Sequence, residues 1–193
     1  MTSSRSFVPT ASQAHWLTAY SFARAAFSLA WIAVVLVVGI THLTAAAVLL
    51  VLYPAWDAAA NWVDARRSGG LAANPSQLAN GVISLLATAA VLTAEITGTF
   101  PVLYVFGVWA GLAGLLQLVT AVRRWRVGGQ WAMALSGAQS VLAGAFFFLK
   151  VAPTLGAAAA AVVPYAGFGA FYFLVSAVWL AFRGEGGFRA ARG

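Results

Sequence analysis

The chain has no cysteine, two histidines and four acidic residues in 193 positions. Lack of cysteine excludes a disulfide framework, thiolate metal sites and thiol nucleophiles. His15 and His42 are too few for a histidine-based metal centre, so no metal and no cofactor is expected. Charge is scarce too, at 8% of residues, against about 25% in soluble globular domains. What fills the chain is apolar: 62% hydrophobic residues and a mean hydropathy of +0.88. That composition excludes a water-soluble globule, and it excludes disorder, which needs low hydrophobicity and high charge. Lipid is the solvent that remains. A membrane span takes about 20 apolar residues, so the length admits about six or seven of them and little else.

Six apolar runs are legible. Residues 1–20 are mixed and polar and read as an N-terminal tail. The first run covers about 25–40 and the second about 43–63, with Thr41-His42 as the turn between them. A polar stretch from Asp64 to Gln77 contains Gly69-Gly70 and Asn74-Pro75, which are loop punctuation. The third run, about 78–96, ends at Thr97-Gly98-Thr99. Pro101 opens the fourth, where its missing N–H does no harm. That run stops at Arg123-Arg124-Trp125-Arg126 and Gly128-Gly129. A fifth covers 131–149 and a sixth about 155–182, leaving 184–193 as a C-terminal tail. Period-two alternation is absent, so the spans are expected to be helices and not barrel strands. Pro54 and Pro164 fall inside the second and sixth runs and are expected to kink or open them.

A shift of 56 residues brings the chain into register with itself. Gly81, Ser84, Leu86 and Ala87 fall on Gly137, Ser140, Leu142 and Ala143, and Ala110, Gly111, Leu118 and Val119 fall on Ala166, Gly167, Leu174 and Val175. One further copy aligns more weakly: Ser28 with Ser84 and Ser140, and Tyr53 with Trp109 and Tyr165. The expected fold is therefore an all-α membrane protein with six transmembrane helices. They form three tandem helical hairpins, at 21–67, 78–126 and 131–183, in one membrane domain over 21–183. Each unit has two spans, so the copies point the same way. Small residues recur because helices in lipid associate by close backbone approach. Gly107, Gly111 and Gly114 mark one face of the fourth helix; Gly137, Ser140 and Gly144 mark one face of the fifth. Packing within the bundle is the plain reading, and a homo-oligomer seam through Gly, Ser and Ala faces is the alternative.

Net charge is +7. With the helices so drawn, all ten arginines (Arg5, Arg24, Arg66, Arg67, Arg123, Arg124, Arg126, Arg183, Arg189, Arg192) lie towards one side and Lys150 on the other. This positive-inside asymmetry places both termini in the cytoplasm and the chain in the cell's inner membrane. Trp16, Trp62, Trp125, Trp131 and Trp179 fall at the same helix ends, where indole rings favour the headgroup level. Beyond the bilayer itself, the expected partners are anionic headgroups at the arginines, at about 1 kcal/mol each. A nucleic-acid partner is not expected.

Ionisable groups inside a span point to function. Asp57, Asn61 and Asp64 share one face of the second helix. Asp64 reads as a solvated helix end, and Asp57 lies roughly 10 Å deeper at 1.5 Å per residue. Arg24 begins the first helix at a comparable depth and can pair with either acid. The pair has three readings: a structural clamp on the first hairpin, a solute or proton pathway through Asp57, or contact with a lipid headgroup. On the far side His42, Glu95 and Lys150 occupy the three short turns, where they are either solvated or a pH-responsive cluster. No nucleophile elbow, zinc-protease helix, P-loop or pair of deep carboxylates is present, so no catalytic residue is expected.

The strings Trp131–Gly144 and Gly167–Arg183, with the copy at Asn80–Ala89 and Gly107–Arg123, resemble the HdeD-like family of small bacterial inner-membrane proteins. The resemblance covers about 78–183 and is weaker over 21–67. It implies a non-enzymatic hairpin-repeat protein associated with acid or envelope stress tolerance, and it transfers no site residue. Two other functions stay open: a small-solute or proton transporter using Asp57, and a structural or assembly partner in the membrane.

Overall fold

Every apolar run folds as helix. The computed structural model describes the backbone of residues 11–123 and 131–190, and the side chains of 15–122, 131 and 133–182. Among these there is no strand. The elements are α1 Ala11–Val34, α2 Leu43–Arg67, α3 Pro75–Thr97, α4 Val102–Arg123, α5 Trp131–Leu149 and α6 Leu155–Ala190. A π-helical turn, Val35–Gly39, continues α1 up to the Thr41-His42 turn. Five helices are long and apolar enough to cross a membrane, and Met133–Leu149 is a shorter apolar helix. These features fit a multi-pass membrane protein.

Local signals act where the sequence places them. Pro75 opens α3 at its first helical turn, where its missing N–H has no intrahelical partner to lose. Gly98 closes α3 at φ 64°, its N–H donating to the Ala94 carbonyl at 2.9 Å. A left-handed closing residue of this kind favours glycine.

Two expectations need correction. Residues 11–20, read as tail, belong to α1, because Trp16 docks its ring across the end of α2. Residues 184–190, also read as tail, continue α6; isolated glycines lower helix propensity by about 1 kcal/mol each and do not forbid the helix. α2 and α6 run on as helix through Pro54 and Pro164. The basic segment Arg124-Trp125-Arg126 with Gly128-Gly129 lies outside the described residues.

The surface is inside-out relative to a soluble protein. Large apolar side chains point outward, among them Val37, Ile96 and Leu142, while much of the interior is alanine. Lipid accounts for both: it solvates leucine and valine as well as a core does, and small interior residues let backbones approach. The tightest seam shows this. A Cβ on Gly114 would stand 2.6 Å from the Gly137 carbonyl oxygen, and one on Gly144 would stand 2.7 Å from that of Gly107. The glycine faces of α4 and α5 therefore meet each other within one chain.

The dominant packing is α4 on α5, α1 on α6 and α2 on α3. Helices adjacent through the short turns, α1 with α2 and α5 with α6, touch little. The pair joined by the middle short turn, α3 and α4, does pack together, but the closest packing in the bundle falls between the expected hairpins and not within them.

Candidate functional site

Asp57 is the centre of the polar interior. Its helix, α2, continues after it with three alanines, Ala58 to Ala60, before Asn61. Arg24 on α1 forms an ion pair with Asp57, the two side chains being 12% and 18% exposed. Asn61, one turn along α2, donates from Nδ2 to Asp57 Oδ2 at 3.0 Å. From α3, Ser84 donates its hydroxyl to the same oxygen at 2.7 Å, and the Trp109 indole N–H of α4 donates to Ser84 Oγ at 2.9 Å. The guanidinium is held as firmly: Nη1 donates to the Tyr20 hydroxyl at 3.0 Å, and the Phe173 ring of α6 lies 4.3 Å from its carbon. Five helices thus meet at one charge pair. A pair with its remaining donors and acceptors satisfied is the form in which burial is tolerable.

Around the pair is open volume. A cavity of about 530 Å³ is lined by Arg24, Asp57, Asn61, Gln77, Asn80 and Gln117, with hydroxyls from Ser136 and Ser140 of α5 and Ser176 of α6. It reaches the arginine-bearing ends of the helices, where Asp64, Ser76 and Thr120 stand. Its inner end is aromatic. Trp109 sits edge-on to both Tyr53 and Tyr165, with ring centroids 5.9 Å apart in each case. From Thr120 down to Trp109 the depth is about 16 Å at 1.5 Å per residue. Trp109 is also hydrogen-bonded to Ser84 of the preceding helix, and Tyr53 and Tyr165 likewise lie beside Ser28 and Ser140.

Three lining residues carry buried polar atoms without a protein partner, namely Trp56 Nε1, Asn80 Oδ1 and Gln117 Oε1. Each such group costs about 1–3 kcal/mol unless water or a solute completes it. Ser84 beside a carboxylate looks superficially like a nucleophile with its base. Its oxygen, however, is 1% exposed as a residue and already engaged by both Asp57 and Trp109. The arrangement suits reversible binding of a small polar molecule. Among the described residues no three His, Asp or Glu side chains gather as a metal site.

The structure brings Arg24, Asp57 and Asn61 together, and between the two acids Arg24 chooses Asp57. Asp64 departs from expectation: it is buried, not solvated, accepting from Trp16 Nε1 at 3.4 Å and Ser68 Oγ at 3.2 Å. The early start of α1 is the reason, since it lays Trp16 over the end of α2, with Arg67 stacked 4.5 Å from the ring. On the far side, Glu95 and Lys150 line a second cavity of about 420 Å³, while His42 is exposed and is not part of its wall. Sequence reasoning missed Tyr20, Ser84, Trp109 and Phe173 as partners of the pair. A signal existed for the middle two, which stand at the aligned Ser and aromatic positions of the 56-residue register.

A family model described as a short repeat of unknown function (DUF308) matches residues 79–149. The matched stretch runs from α3 through α5. It includes Asn80, Ser84, Trp109 and Gln117 and excludes Arg24 and Asp57. No curated protein and no solved structure matches the chain.

Proposed function

We propose that this protein binds a small polar solute, or carries it or a proton part-way across the membrane, in the cavity centred on Arg24 and Asp57. The observation that carries this reading is that the cavity reaches the ion pair. A scaffold has no use for such volume, and an unfilled polar cavity is a cost that a close-packed bundle avoids. The protein is a non-enzymatic inner-membrane protein with six spans, Met133–Leu149 being the sixth. The arginine-bearing ends and both termini face the cytoplasm, so the cavity opens to the cytoplasm and its aromatic end lies near mid-membrane.

The three tandem units of about 56 residues are part of this proposal. Support comes from the equivalent Ser–aromatic pairs 25 positions apart, Ser28–Tyr53, Ser84–Trp109 and Ser140–Tyr165. The pairing of α2 with α3, α4 with α5 and α6 with α1 also supports them, being one relation repeated three times. The resemblance to the HdeD-like family attaches the binding role to acid or envelope stress. A deletion strain that survives acid challenge as well as its parent would remove that link.

The chain has no cysteine, which makes accessibility direct to test. Gln117→Cys and Ser136→Cys should react with a membrane-impermeant thiol reagent applied from the cytoplasmic face, and Phe106→Cys should not. Proteoliposomes should show glycerol, urea or proton flux above empty vesicles, lost in Asp57→Asn. Absence of all three fluxes together with unreactive cavity cysteines would refute the proposal.

A further inference from the structure

The end of the bundle away from the arginines carries a second site. Its cavity of about 420 Å³ lies between the α3–α4 turn and the α5–α6 connection. The walls are mostly apolar, including Leu43, Val102, Leu103 and Leu155, yet two opposite charges line them, Glu95 and Lys150. These charges do not pair with each other: the ion pair among the described residues is Arg24–Asp57, and Lys150 Nζ lies over the Phe146 ring at 5.8 Å. Glu95 Oε1 is buried and has no hydrogen-bond partner. Glu95 as a whole is half-buried, but a covered carboxylate oxygen without a donor is costly, a cost that a donor from outside the chain would relieve.

The two charges restrict that donor. A simple cation is repelled by Lys150 and a simple anion by Glu95, whereas a molecule with an ammonium at one end and an anionic group at the other suits both. Position narrows it further. Glu95 is two residues from the end of α3 and Lys150 follows α5 directly, so both stand where apolar helices end and lipid headgroups begin. Ile96, Leu149 and Val151, each next in sequence to a residue of the cavity wall, are 76%, 83% and 84% exposed.

We propose that this cavity holds the phosphoethanolamine head of a membrane lipid, its ammonium on Glu95 and its phosphate at Lys150, with the acyl chains lying over Ile96, Leu149 and Val151. A primary ammonium brings N–H donors to the orphan oxygen, and a quaternary one has none, so phosphatidylethanolamine is selected over phosphatidylcholine. Phosphatidylglycerol offers no cation to Glu95. The site is separate from the Arg24–Asp57 cavity and stands or falls independently of it.

The test uses the full-length protein in nanodiscs of mixed phosphatidylethanolamine, phosphatidylcholine and phosphatidylglycerol, with the lipids retained after detergent extraction counted by native mass spectrometry. Wild type should keep phosphatidylethanolamine in preference to the other two. Glu95→Gln and Lys150→Ala should each weaken that retention about tenfold, the loss of one charge-assisted hydrogen bond. Asp57→Asn should retain the lipid unchanged. Melting temperatures matching wild type establish that the variants are folded. Equal retention of the three lipids, or wild-type retention in Glu95→Gln, would overturn the proposal, as direct pairing of Glu95 with Lys150 would produce. Soluble O-phosphoethanolamine separates the sources: if it binds in a Glu95-dependent way while the lipid is not retained, the lipid assignment is overturned in favour of a free zwitterion.

Discussion

On the arginine-bearing side the helices face one another with amides, hydroxyls and an ion pair around open volume. Towards the far side the same helices close on Leu50, Val91, Leu103, Phe106, Phe147 and Val162, each almost fully buried. The second cavity interrupts that packing only at the very end of the bundle. The contrast shows how a chain in lipid divides its stability. Apolar side chains gain nothing there from leaving water, so the far half rests on fitted shape and close approach. Polar groups cannot turn to lipid for partners, so the near half rests on the bonds they make to one another and into the cavity.

Removing a bond partner from the near half should therefore cost more than removing bulk from the far half. Asp57→Ala leaves Arg24 without its counter-charge and should cost roughly 3–5 kcal/mol, measured by reversible denaturation in mixed micelles. The double variant Arg24→Gln/Asp57→Asn should recover most of that loss. If the single variant is no worse than the double, the ion pair is not what holds the near half. Phe106→Ala should cost about 2 kcal/mol, below the roughly 3–5 kcal/mol of a soluble core, because only packing is lost and not transfer from water. A larger loss than for Asp57→Ala would erase the contrast between the halves.

The glycine seam offers a finer test. Gly114→Ala forces a Cβ against the backbone of α5 and should cost roughly 1–2 kcal/mol, as overpacking does. Gly111→Ala meets open space and should leave the thermal midpoint in detergent where it was. Equal shifts for the two would mean that α4 and α5 are not in backbone contact. A smaller loss than for Gly114→Ala, about 1 kcal/mol, is expected for Trp16→Phe, which keeps the ring and loses only the donor to Asp64. Hydrogen exchange at the α1 start should rise with it.

Much of the fold was legible because its signals are local. Apolar runs, Gly98, Pro75 and the turn at Thr41-His42 each act within a few residues. Arg24 and Asp57 were legible for a related reason, since charge inside an apolar run is conspicuous. Ser84, Trp109 and Gln117 were harder to read: the 56-residue register marks the first two as equivalent positions, but serines, tryptophans and glutamines are tolerated anywhere in a span. Nothing in their own neighbourhood says that they meet Asp57 or line its cavity. Asp64 was misread because its partner Trp16 lies 48 positions away, in a stretch whose polar composition concealed a helix.

Composition and periodicity alone determined the solvent, the helical class and the approximate span boundaries, since a backbone in lipid must satisfy its hydrogen bonds within each helix. Which helices embrace, and that a cavity opens at Asp57 rather than closing over it, was decided only in three dimensions. Small-residue faces allow several partners, and the choice among them depends on how all six helices fit at once.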